Sequence, residues 1–145
     1  MNLKGNYQFD ASSKAIWDCL MNPEVLTRIT PGISRLEQIE EDQFKAIADV
    51  KIGPVKGSFE GNLKVAEKKE PERFVLKITQ KSKIGNVSAD VAIALNKKED
   101  GQTEMEFDGK AKLSGLLART GQRVLSGVAN TLTKQFFKAL EKELA

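Results

Sequence analysis

With 145 residues, 40% of them hydrophobic and 30% charged, the chain has the balance of one soluble globular domain and is long enough to bury a sizeable core. A net charge of +3 permits attraction to an anionic lipid surface or an acidic partner, but the dense basic patch with interleaved aromatics that marks a nucleic-acid binder is missing. The lack of histidine and the single cysteine, Cys19, exclude an intrachain disulfide, zinc-type Cys/His spacing and the commonest acid/base catalyst.

The chain opens on Leu3, Gly5, Tyr7 and Phe9 alternating with Lys4, Asn6, Gln8 and Asp10, the period of two of a strand with one dry face. No apolar leader is visible there, and nothing approaches the roughly 20-residue apolar run of a membrane span, so a cytoplasmic location is the default expectation. Ser12 or Ser13 can cap a helix with Ile16, Cys19 and Leu20 on one side. Asn22-Pro23 opens a second short helix, with Asn as cap and Pro at its first position, and Pro31-Gly32 ends it.

Strand alternation then returns. Phe44, Ala46, Ala48, Val50 and Ile52 form one inward row, and Phe59, Gly61, Leu63 and Val65 a second. Phe74, Leu76 and Ile78 form a third, followed by Val87, Ala89, Val91, Ile93 and Leu95. From Thr103 to Leu113 the odd positions are Thr, Met, Phe, Gly, Ala and Leu, while the even positions are Glu or Asp and then Lys. Turn signals at Glu41-Asp42, Gly53-Pro54, Lys69-Glu70-Pro71, Ile84-Gly85-Asn86 and Glu99-Asp100-Gly101 separate the rows, so successive strands pair antiparallel.

Ser114 can cap a long last helix from about Gly115 to Leu144. Leu117, Gly121, Val124, Leu125, Val128, Ala129, Leu132, Phe136, Ala139 and Leu140 share its apolar stripe. Arg119, Arg123, Asn130, Lys134 and Lys138 fall mostly opposite, with Phe137 and Leu116 projecting toward the same side. An amphipathic helix of that length needs a sheet to cover. The order β-α-α-β-β-β-β-β-β-α therefore predicts an α+β helix-grip domain spanning residues 1–145, a curved antiparallel seven-stranded sheet around a C-terminal helix.

The facing sides are rich in small residues: Ala46, Ala48, Gly61, Ala89, Gly109 and Ala111 on the strands, Gly121 and Ala129 on the helix. Such a pattern fits either a void lined with apolar groups or a close approach of helix to sheet, and sequence leaves both open. Tyr7 and Gln80 are the inward polar residues, each expected to be an ordinary hydrogen-bonded core group.

Catalysis has little to work with. Cys19 reads as a small core residue, and Gly53-Pro54-Val55-Lys56-Gly57 lacks the Gly-Lys-Ser/Thr ending of a phosphate loop. Glu104, Glu106 and Asp108 share a wet strand face with Lys110 and Lys112, where carboxylates are solvated charges and not an acid pair in a cleft. No catalytic residue, metal ligand or cofactor is expected. Basic residues around an exposed aromatic on the last helix, Arg119, Arg123, Lys134, Lys138 and Phe137, form a candidate docking surface for a partner or for an anionic membrane.

Several stretches resemble one family. Asn22-Pro23-Glu24-Val25-Leu26 followed by Ile29-Thr30-Pro31-Gly32 is similar to the helix and Pro-Gly turn of the CoxG proteins associated with carbon monoxide dehydrogenase. Lys51-Ile52-Gly53-Pro54-Val55-Lys56-Gly57-Ser58-Phe59-Glu60-Gly61 is the most specific match, and Gly115-Leu116-Leu117-Ala118 through Gln135-Phe136-Phe137 resembles the family's last helix. The resemblance implies the START-like, Bet v 1-like helix-grip superfamily, whose members commonly hold lipids, sterols or other hydrophobic molecules. It further implies an accessory role beside a molybdenum hydroxylase of the carbon monoxide dehydrogenase type, in membrane recruitment or in handling a quinone. Many relatives continue into a membrane-associating tail. This chain stops at Lys142-Glu143-Leu144-Ala145, so tight anchoring is not expected.

Taken together, these readings predict a non-catalytic module that binds a lipid or isoprenoid quinone between sheet and last helix. The expected lining is Phe44, Ala48, Val50, Phe59, Leu63, Ile78, Val91, Met105, Phe107, Gly109, Leu117, Val124 and Val128. The expected entrance lies among Pro31, Gly32, Gly53, Pro54, Val55, Ile84 and Gly85. The alternative is a docking protein for such an enzyme, with a filled core and no ligand.

Overall fold

The computed structural model describes residues 1–145. Strand β1 (Asn2–Phe9) leads into helices α1 (Ser13–Leu20) and α2 (Pro23–Ile29). Six strands follow: β2 (Ile33–Glu40), β3 (Gln43–Ile52), β4 (Val55–Lys69), β5 (Arg73–Ser82), β6 (Gly85–Lys97) and β7 (Thr103–Leu113). The chain closes with α3 (Gly115–Arg119) and α4 (Gln122–Leu144). Both early helices start on the caps their sequences offer. The Ala15 N–H donates to Ser12 Oγ at 3.1 Å, and the Glu24 N–H donates to Asn22 Oδ1 at 3.0 Å ahead of Pro23 at the first helical position.

The seven strands form one open antiparallel sheet in the order β1-β7-β6-β5-β4-β3-β2. The register aligns the apolar rows across it. Leu3 pairs with Gly109, Gly109 with Val91, Val91 with Leu76, and further along Ile78 pairs with Leu63 and Leu63 with Phe44. Because side chains alternate with a period of two, this register puts every such residue on one inner face, toward the helices.

Strand β2 is the one the alternation fails to reveal. Its apolar residues Ile33, Leu36 and Ile39 are spaced by three, and register shifts against β3 fall between Ile33 and Arg35 and between Gln38 and Glu40. Each irregularity breaks the period of two on a sheet edge, which is why the pattern is illegible.

Two buried clusters hold the helices to the inner face. The larger gathers Phe9, Ile16, Trp17, Leu20, Val25, Ile29, Phe44, Val65, Phe74, Ile93, Leu95, Met105, Phe137 and Leu140, so it joins α1, α2 and the C-terminal half of α4 to the sheet. Burial of each large apolar side chain there is worth about 1.5–3 kcal/mol relative to exposure. The smaller contains only Val55, Phe59, Leu117 and Leu125, at the other end of the grip. Next to the large cluster, the buried Thr103 hydroxyl donates to the Ala11 carbonyl at 2.8 Å and meets Ser13 Oγ at 3.3 Å, so the polar groups at the start of α1 are satisfied.

The last helix is not continuous. It breaks at Thr120–Gly121, where Gly121 has φ of 102°, a conformation that no right-handed helix accommodates. Gly121, expected on the apolar stripe, is the exposed hinge between α3 and α4. Ser114 makes no capping bond to α3. Its Oγ accepts instead from the Asn86 N–H at 3.0 Å, while the Leu117 N–H donates to the Ile84 carbonyl at 2.8 Å. Helix α3 is thus a short clamp on the β5–β6 turn, and α4, about 35 Å long at 1.5 Å per residue, forms the grip.

Candidate ligand-binding site

The expected lining residues separate into three groups. Phe44 and Met105 are buried in the large cluster, with Leu63, Val91 and Phe107 half-buried against it. Phe59 and Leu117 are buried in the small cluster, with Val50 and Val128 half-buried against it. Ala48 and Ile78 belong to neither cluster and are half-buried, as are their inner-face neighbours Gln80 and Ala89 and, on α4, Leu132. The middle of the grip is therefore apolar apart from Gln80 and keeps accessible surface, with one buried cluster on either side of it.

Two lining residues lie elsewhere than expected. Val124 is 39% exposed and belongs to neither cluster, because the break at Gly121 fixes the phase of α4 with Leu125 inward. Gly109 is buried, and a Cβ there would stand 3.2 Å from Val91 Cγ2, so it fills tight packing and borders no free space.

At the expected entrance, Gly53 and Pro54 are exposed, Pro31, Ile84 and Gly85 are half-buried, and Gly32 is exposed with its carbonyl accepting from the Asp49 N–H at 2.8 Å. Val55 is not part of an opening. It is 5% exposed and packs with Phe59, Leu117 and Leu125 because strand alternation turns it inward one residue after Pro54. Gly85 is pinned under α3, where a Cβ would come within 2.0 Å of the Ser114 carbonyl oxygen. The end of the grip near α3 is tied shut on its β5–β6 side, leaving Gly53-Pro54 as its free loop.

Phe137 corrects the expected docking surface. It is 5% exposed, stacked on Tyr7 with ring centroids 4.9 Å apart and tilted against Phe107 at 5.7 Å. The reason is helical phase. One residue after Phe136, it faces β1 because α4 lies across that strand. Arg119, Arg123, Lys134 and Lys138 are exposed as expected and take part in no ion pair, and the exposed large apolar residues of these two helices are Leu116 on α3, 59% exposed, and Val124 on α4.

Tyr7 is a hydrogen-bonded residue, its hydroxyl donating to Glu141 Oε2 at 3.0 Å, and that bond to a carboxylate raises the Tyr7 pKa. Beside it, the Arg28 guanidinium pairs with Glu143 and holds that carboxyl below its ordinary range, joining α2 to α4. Gln80 is not satisfied. Both its amide atoms are enclosed and lack a partner. The sequence signal was a lone polar residue ending the inward row Phe74, Leu76, Ile78, but a period-two reading cannot say whether a partner stands opposite. Cys19 is half-buried against the large cluster, and burial pushes its thiol pKa up. A surface groove of about 910 Å³ lies on the outer face, bordered by Lys4, Arg73, Ala92, Glu106 and Asp108. Its mixed charges and its place across the sheet from α4 separate it from the grip.

This arrangement, an antiparallel sheet holding a long C-terminal helix against one face, is the helix-grip fold of START-like proteins. A START superfamily protein from Mycobacterium smegmatis superposes with a TM-score of 0.76 at 15% identity, covering 99% of this chain and 96% of that one. The chain belongs to the CoxG family of carbon monoxide dehydrogenase subunits, whose sequence model matches residues 5–145. A conserved protein from Geobacillus kaustophilus is 32% identical, with a TM-score of 0.96 over 99% of this chain and 95% of that one. A Thermus thermophilus structure shares the fold at a TM-score of 0.73 and 11% identity, over 99% and 97% of the two chains. No curated protein matches the chain in sequence.

Proposed function

We propose that this chain is a non-catalytic binding module that holds a lipid or isoprenoid quinone between the inner sheet face and α4, as an accessory to a molybdenum hydroxylase of the carbon monoxide dehydrogenase type. The observation that carries the reading is the half-buried apolar middle of the grip, Ala48, Ile78, Ala89 and Leu132, between the two buried clusters. Apolar groups that keep accessible surface between a sheet and its covering helix gain free energy when a hydrophobic molecule covers them. Membership in a family described as a dehydrogenase subunit supports the accessory role and the partner.

Native mass spectrometry of the purified protein, followed by organic extraction, tests this. A quinone or lipid released in near-stoichiometric amount is expected. A clean ligand-free mass with no uptake of added quinones or lipids would transfer the function to docking of the enzyme by a filled module.

No helix is long and apolar enough to cross a membrane. Exposed Leu116 with Arg119 three residues on in α3, and exposed Arg123 in the first turn of α4, support weak peripheral contact with an anionic inner membrane surface from the cytoplasm. An Arg119→Ala, Arg123→Ala double variant is expected to lose the salt-sensitive part of binding to phosphatidylglycerol vesicles. Equal sedimentation of variant and wild type would remove this contact from the account.

A further inference from the structure

Gln80 is the polar exception on the inner face. It follows Phe74, Leu76 and Ile78 along β5, and its neighbours across the ladder are Gly61 on β4 and Val87 on β6. Its place is between the clusters, since Ile78 pairs with Leu63 of the large one and Val87 packs on the small one. Both Oε1 and Nε2 are enclosed without a hydrogen-bond partner, although the residue as a whole is only half-buried. A primary amide brings two N–H donors and a carbonyl acceptor, and leaving them unpaired away from water costs free energy that an apolar side chain of the same length would not. Packing alone therefore does not explain a glutamine here.

The surroundings are bare. A Cβ at Gly61 would stand 1.8 Å from the Thr79 carbonyl oxygen, so the close approach of β4 and β5 forbids any side chain beside Gln80 on that strand. Ala46, paired with Gly61, adds only a methyl group. With its accessible stem, the flexible side chain can turn its amide toward the space these small residues leave.

We propose that Gln80 is the hydrogen-bonding anchor for the polar head of the bound hydrophobic molecule, an assignment that rests on the binding function proposed above. The amide specifies the head. A carbonyl oxygen accepts from Nε2–H and a hydroxyl donates to Oε1, so one side chain serves a quinone and its quinol alike. Along the inward rows of β3 through β7 the one cation is Lys97, exposed at the far end of β6 beyond Leu95. Gln80 pairs with Val87 near the start of that strand, so a carboxylate or phosphate head beside Gln80 would go unneutralised. The ligand class is an uncharged carbonyl- or hydroxyl-headed amphiphile, its tail lying along Ile78, Ala89 and Leu132.

The test uses the full chain, the variants Gln80→Leu and Gln80→Met, and two probes, decylubiquinone with carbonyls and n-decylbenzene without them. Affinities come from native mass spectrometry titrations and stability from thermal unfolding of the ligand-free proteins. Both variants are expected to bind decylubiquinone about ten- to a hundredfold more weakly, to bind n-decylbenzene as the wild type does, and to unfold at higher temperature. Decylubiquinone affinity unchanged in both variants would overturn the anchor while leaving the binding function intact. Equal losses for the two probes would overturn it as well, since they would show a change of shape and not a lost hydrogen bond. A wild type that takes up neither probe would overturn the binding function and the anchor with it.

Discussion

The two ends of the grip are built differently. The end where α1, α2 and the C-terminal half of α4 meet the sheet holds fourteen buried apolar residues and an aromatic stack of Tyr7, Phe9, Phe107 and Phe137. The end under α3 holds four, and it is secured by hydrogen bonds from the Leu117 N–H to Ile84 and between Ser114 and Asn86. The dense end fixes the helix to the sheet, and the lightly built end has the lower local stability, because local stability follows the local density of buried contacts. Between them lies the half-buried stretch in which we place the ligand.

Truncations at the two ends probe this difference most directly. Phe137→Ala is expected to cost about 3–5 kcal/mol in urea unfolding, and Leu125→Ala about 2–3 kcal/mol. Equal costs would erase the contrast between a structural end and a yielding one. Enlarging residues at the middle sharpens it further. Gly109→Phe meets packed Val91 and is expected to lose about 1–3 kcal/mol by overpacking, whereas Ala89→Phe should cost under about 1 kcal/mol while blocking decylubiquinone uptake. An Ala89→Phe protein that is folded and still binds the quinone would move the ligand away from this stretch.

The smallest effect concerns the polar latch of the dense end. Arg28 holds the folded-state pKa of Glu143 below its ordinary value, so the pair's stabilisation is present above the ordinary carboxylate range and is lost as pH falls through the lowered value. Wild type is expected to melt above Glu143→Gln at neutral pH, the gap closing down an acid series. A gap that persists in acid would assign the effect to packing of the side chain and not to its charge.

How much of this was legible beforehand follows from locality. Strand rows such as Thr103–Leu113 announce themselves because strand alternation is a property of consecutive residues, and the Ser12 and Asn22 caps act within three residues of themselves. Charge on the exposed face of α4 was equally readable. The bulged edge strand β2 was not, since its register shifts are set by pairing with β3.

The sequence by itself determined the six regular strand rows, the capped starts of α1 and α2, the inner face of the main strands and the family motifs, all of which depend on neighbours along the chain. Only the tertiary structure decided that Gly121 breaks the last helix, that Phe137 turns from the surface into an aromatic stack, and that Val55 and Gly109 are packed tight. It alone left Gln80 without a partner. These outcomes depend on which groups arrive from distant parts of the chain, and a hydrogen bond or a packed methyl group exists only when both sides are in place.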